Sequence, residues 1–105
     1  MTLLRAAINV DPRRGEWHFQ LARLLQDHGH AAEAISEYQR ALAVAEPSQP
    51  PPGWVPQAHR MLAESADAAG DRARALDHYQ SFLRLAANTA PGYDRAQRRI
   101  LDLQH

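Results

Sequence analysis

Shifted by 41 residues, the chain matches itself. His18 falls on His59, Leu21-Ala22 on Leu62-Ala63, Gly29 on Gly70, Ala34 on Ala75, Tyr38-Gln39 on Tyr79-Gln80, Leu42 on Leu83 and Ala45 on Ala86. No other feature constrains the fold as strongly, because a short repeated unit cannot enclose a core alone and must bury one face against its neighbours. The run Pro47 to Gly53 stands between the copies. Taken as an insertion of seven residues it leaves a period of 34, and His59 to Tyr93 repeats that spacing with no insertion.

The unit is helical. Twenty residues are alanine, whereas valine, isoleucine and threonine together number eight, so helix formers are abundant and strand formers scarce. Pro12, Gly29, the run Pro47 to Gly53, Gly70 and Pro91-Gly92 punctuate the chain into six segments. Within them the apolar residues recur at intervals of three and four, the spacing of one helix face. Ala31, Ala34, Ile35, Tyr38, Ala41, Leu42 and Ala45 share a face in Ala31 to Ala45. Ala75, Leu76, Tyr79, Phe82, Leu83 and Ala86 do so in Ala73 to Ala86. Trp17, Leu21, Leu24 and Leu25 form a stripe before Gly29, Leu62, Ala63 and Ala66 a thinner one before Gly70, and Tyr93, Ala96, Ile100 and Leu103 a closing one. Thr2 to Val10 offers Leu3, Leu4, Ala7 and Ile8 and is expected to stop at Asp11-Pro12, since a residue before proline is pushed out of the helical region.

The small residues have a reason. Ala22 and Ala34, like Ala63 and Ala75, are expected where two paired helices approach closely, and a larger side chain there would cost about 1–3 kcal/mol of overpacking. Tyr38 and Tyr79 fill the space beside them. Gly29 and Gly70 end the first helix of each pair, where a left-handed residue is least costly for glycine.

These residues resemble the tetratricopeptide repeat family, whose 34-residue unit is a helix-turn-helix. Leu21-Ala22-x-x-Leu25, Gly29 and Ala34-x-x-x-Tyr38-x-x-Ala41 reproduce its skeleton. Leu62-Ala63-x-x-Ala66, Gly70 and Ala75-x-x-x-Tyr79-x-x-Phe82 do so with Ala66 small and Phe82 large where the family has the reverse. The family's aromatic at the start of the first helix is His18 and His59 here. The resemblance implies an all-α fold, an α-solenoid of antiparallel helix-turn-helix repeats with about six helices in a single domain over residues 1–105. Residues 1–12 would be the second helix of a truncated repeat, 15–47 and 55–88 whole repeats, 48–54 a proline-rich insertion and 91–104 a capping helix. A chain that starts in mid-repeat reads as a piece of a longer array, or as one that covers its end by self-association through Leu3, Leu4 and Ile8.

Composition argues against several functions. Twelve arginines balance twelve acids, giving no net field for nucleic acid, and no stretch approaches the ~20 apolar residues of a membrane span. The absence of lysine reads as the codon usage of a GC-rich genome. There is no cysteine, hence no disulfide, thiolate metal site or cysteine nucleophile. His28-Gly29-His30 sits in a turn without the further ligands a zinc site requires, so exposed turn histidines are the preferred reading and neither metal nor cofactor is expected. His18 and His59 read as packing at the core edge. Ser36, Ser48, Ser65 and Ser81 lack a nucleophile elbow or partnered base, and no phosphate-binding glycine loop is present. The chain is therefore not expected to be an enzyme. Arg5 and Asn9 interrupt the first apolar run, so no secretory leader is read there; the compartment stays open between cytoplasm and, for a piece of a longer chain, periplasm.

Pro50-Pro51-Pro52 is expected to be extended, either as a ligand for an aromatic groove or, preferably, as a plain linker. Trp54 is expected to anchor on the helix beginning near Pro56. By family resemblance, the first helices line a groove for an extended peptide or a partner helix. Phe19, Arg23 and Gln26 of one repeat and Arg60, Glu64 and Asp67 of the next are the groove candidates, each equally readable as a solvated helix face. The family's lysine-and-asparagine clamp for a chaperone's C-terminal carboxylate is absent. Three functions follow: a scaffold of bacterial-type repeats binding a protein or peptide, the non-catalytic arm of a larger enzyme such as a transferase, or a self-assembling module, with a homodimer through the terminal helices.

Overall fold

The computed structural model describes residues 2–11, 13–47 and 51–104. Among these the chain forms six α-helices and no strand: α1 (Thr2–Val10), α2 (Gly15–Asp27), α3 (Ala31–Ala45), α4 (Val55–Ala68), α5 (Arg72–Leu85) and α6 (Tyr93–Gln104). The all-helical class expected from the alanine-rich periodic segments is the one observed. Pro12, at the expected stop of the first helix, and Ser48, Gln49 and Pro50 of the proline-rich stretch lie outside the described residues. The helices group into two compact units, Met1–Trp54 and Val55–His105.

The first unit is built on the α2–α3 pair, against which α1 packs more lightly through α2. Leu21, Ala22 and Leu25 of α2 and Ala34, Tyr38, Ala41 and Ala45 of α3 form the buried apolar set, drawn from one face of each helix. α2 ends in a Schellman turn: Gly29 adopts φ 81°, its N–H donates to Gln26 O (3.1 Å), and His30 N–H donates to Leu25 O (2.8 Å). That turn reverses the chain within three residues and makes α2 and α3 an antiparallel hairpin.

The second unit repeats the construction. Gly70 has φ 81°, Gly70 N–H donates to Asp67 O (3.1 Å) and Asp71 N–H to Ala66 O (2.9 Å). Asp71 then caps α5, its carboxylate accepting from Arg74 N–H (3.2 Å). Ala63 of α4, Ala75, Tyr79 and Phe82 of α5 and Ala96 of α6 make one buried cluster, with Ala66, Leu83, Tyr93, Ile100 and Leu103 packed around it. Here a third helix closes over α5 and shares its core.

The sizes at two positions are reversed between the units. Leu25 and Ala41 of the first unit correspond to Ala66 and Phe82 of the second, so the large residue sits on the first helix in one unit and on the second helix in the other. Leu25, Ala41 and Phe82 are all buried. Trp54 departs from the expected placement. It stacks on Phe19 of α2, ring centroids 5.4 Å apart and planes at 25°, because Gly15, one turn earlier on α2, leaves room for the indole. A β-carbon at Gly15 would lie 2.8 Å from Trp54 Cζ2, closer than real contacts permit.

Phe82→Ala should cost about 3–5 kcal/mol by opening a cavity in a fully buried site. Adding Ala66→Leu, which copies the first unit's arrangement, should recover part of the loss. Denaturant unfolding of the two single variants and the double is expected to give a coupling of about 0.5–3 kcal/mol.

Candidate interaction faces

The six candidate residues occupy matching positions. Phe19, Arg23 and Gln26 stand at i, i+4 and i+7 of α2, and Arg60, Glu64 and Asp67, each 41 residues later, stand at the same positions of α4. Each triplet therefore forms one stripe on a first helix. The structure sorts these residues by what already holds them.

At the C-terminal end of each stripe the side chain is bonded internally. Tyr38 Oη donates to Gln26 Oε1 (3.0 Å), and Tyr79 Oη donates to Asp67 Oδ2 (3.2 Å). A tyrosine on the second helix thus reaches back to the last turn of the first helix in both units. Asp67 has further partners: Arg99 of α6 donates through Nε to Oδ2 (2.8 Å) and through Nη2 to Oδ1 (2.7 Å). This forked pair fixes α6 to the end of α4. The Arg99 guanidinium holds the Asp67 carboxyl below its ordinary range, while burial and the adjacent carboxylate push the Tyr79 phenol up to about 12.

The rest of each stripe is more open. In the first unit Phe19 is buried between Trp54 and Tyr38, the latter ring 5.7 Å away, and Arg23 is exposed with its guanidinium 5.9 Å from the Phe19 ring. In the second, Arg60 donates through Nε to Gln57 Oε1 (2.7 Å) and through Nη1 to Glu64 Oε1 (3.3 Å), all on the half-buried surface of α4. The aliphatic part of Arg60 also lies against Gly92, the residue before α6.

A second matched position lies one residue before each stripe. His18 Nδ1 meets Glu37 Oε2 at 2.7 Å, both side chains buried, and Arg40 pairs with the same carboxylate. In the second unit His59 Nδ1 meets His78 Nδ1 at 3.0 Å. Periodicity places His18 and His59 at the core edge but does not name their partners. Glu37 and His78 are themselves 41 residues apart, so extending the self-match to chemically unlike residues would have found the slot.

Of the three terminal residues singled out, Leu3 is 86% exposed, whereas Leu4 and Ile8 are half-buried. Val10 is also open, at 85%. His28 Nδ1 bonds Leu24 O (2.8 Å) at the end of α2, and among the described residues no three histidine or acidic side chains gather to hold a metal. No helix among them is long and apolar enough to cross a membrane.

No family model matches the chain. Over 67 residues, 64% of its length, it is 39% identical to the Tonsoku-like protein of Bos taurus. The chain spans 5% of that protein's length.

The forked pair has a pH signature. A carboxyl whose folded pKa is depressed contributes stability above its unfolded value, near 3.8, and loses it as pH falls through the lower folded value. Arg99→Ala should therefore destabilise the second unit at pH 5–7 and become progressively indistinguishable from the unsubstituted protein as the pH drops below about 4. Urea unfolding across that range, with faster amide exchange confined to α6 at neutral pH, checks this.

Proposed function

We propose that this chain is a non-catalytic protein-interaction module of the tetratricopeptide type, whose hairpins offer the outer faces of their first helices to an extended peptide or a partner helix. The observation that carries the reading is the common register of the two stripes. In each unit the apolar residues of the first helix are taken up by the core of that unit, and the last stripe residue is bonded to the tyrosine of the second helix. What is left pointing outward is Arg23 on α2 and the Arg60–Glu64 pair on α4. Arg23 supplies a forked cation for a carboxylate, and the half-buried Trp54, stacked on Phe19, supplies an apolar edge. Phe19, Gln26 and Asp67 act in this role by holding the face rather than by touching the partner.

The test is capture of a partner by the purified chain and by the variant carrying Arg23→Glu and Arg60→Glu. Loss of one charge-assisted contact amounts to at least about a tenfold weaker affinity, and that is the expected result. Undiminished capture by the charge-reversed chain would sink the assignment.

The open leucine and valine of α1 favour a second reading, self-association through the first helix. Leu3 is its sharpest probe, since Leu4 and Ile8 already pack within the unit. Light scattering over a dilution series should then show an oligomer that Leu3→Glu dissolves; a monomer at every concentration rules it out.

A further inference from the structure

The slot filled by His18 and Glu37 in the first unit holds two histidines in the second. We infer that the His59–His78 contact is an acid-sensitive latch between α4 and α5, closed while one ring keeps a lone pair to accept the other's proton and opened when both rings are cationic.

The geometry sets the condition. Two imidazoles with Nδ1 atoms 3.0 Å apart form a hydrogen bond only if one ring donates Nδ1–H and the other accepts through its lone pair. The ring centroids are 5.3 Å apart and both side chains are half-buried, so the contact joins the two helices of the hairpin rather than lying loose on its surface. The first added proton leaves one ring cationic and the other still able to accept; a further one turns that acceptor into a donor. Two cationic N–H groups then face each other, and the helices must part or one ring must rotate into solvent. In the first unit the His18 ring meets the Glu37 carboxylate at the corresponding place, so no second ring faces it.

The surroundings deepen the effect. The charged groups acting on the pair lie on α5: Arg84 and Arg74 oppose a further positive charge, and Asp77 alone favours it. On α4, Arg60 is engaged by Gln57 and Glu64; on α6, the other helix packed against α5, Arg99 is engaged by Asp67 and Asp102. Burial is the largest cause, followed for His59 by the neighbouring ring, and it brings the His59 pKa down to about 4 and lowers that of His78. An unfolded histidine takes its proton near 6.5. Between those values the unfolded chain binds more protons than the folded one, so stability of the hairpin falls as pH drops from about 6.5 toward about 4. Opening also frees the helix that bears Arg60 and Glu64. Where the proposed binding role holds, acid release of a partner follows; the latch itself is tested with no partner present.

The experiment uses the whole chain. Histidine-ring NMR from pH 8 to 4 should show His59 neutral well below 6.5. Amide exchange, corrected for its intrinsic pH dependence, should show α4 and α5 opening at least about tenfold more at pH 5 than at pH 7, with α2 and α3 unchanged. His78→Glu, which installs the first unit's pair, should abolish that acid response. His59 titrating at or above 6.5 in the folded protein overturns the latch, as does an acid response of α4 and α5 that is the same in His78→Glu. Should His78→Glu fail to fold, the titration and exchange of the unsubstituted chain decide alone.

Discussion

Each hairpin depends on the close approach of its two helices at small residues. Ala22 and Ala34 in one unit, and Ala63 and Ala75 in the other, are almost wholly buried. Across that close approach the buried Tyr38 and Tyr79 reach Gln26 and Asp67 with their hydroxyls, and the histidine slots meet their partners on the second helix. The dispersion attractions are individually small, but they are summed over surfaces packed at the density of a crystal, which makes the spacing of the helices a sharp constraint rather than a preference. The matched Schellman turns at Gly29 and Gly70 set the reversal that brings the small residues into register.

On this shared frame the two units carry different chemistry. A His–Glu contact becomes a His–His contact, a neutral glutamine becomes an aspartate gripped by Arg99, and a leucine–alanine arrangement becomes alanine–phenylalanine. Each change is local, because a helical repeat distributes its stability over neighbouring contacts instead of one closed core. The first unit is therefore tied by a buried His–Glu pair and the second by an ion pair to its third helix. Different electrostatics give the two units different internal ties and different outer faces, while the same backbone holds both.

Much of this plan was readable in the residue order. The period of 3.6, with glycine and proline as stops, placed Thr2–Val10 and Ala31–Ala45 at the bounds the helices have. The self-match placed the alanines, tyrosines and glycines in equivalent slots. Contacts between residues far apart in the chain were not readable, since their partners follow from packing angles that no periodicity encodes. Arg99 lies 32 residues from Asp67. Trp54 turned back to Phe19 because Gly15 lacks a side chain, a space visible only once α2 is folded. Phe19 and Gln26 share a stripe with Arg23, and Asp67 shares one with Arg60 and Glu64, yet Phe19, Gln26 and Asp67 are held by residues of other segments; a stripe says which residues share a face and nothing about what already occupies it.

The dependence on close helix approach is tested most directly by enlarging one of the small residues. Equilibrium unfolding of Ala63→Leu, set beside Ala68→Leu on the exposed end of the same helix, separates packing from helix propensity. If close approach governs the hairpin, Ala63→Leu loses about 1–3 kcal/mol while Ala68→Leu stays within about 0.5 kcal/mol of the unsubstituted chain. Equal stability of the two variants would contradict it.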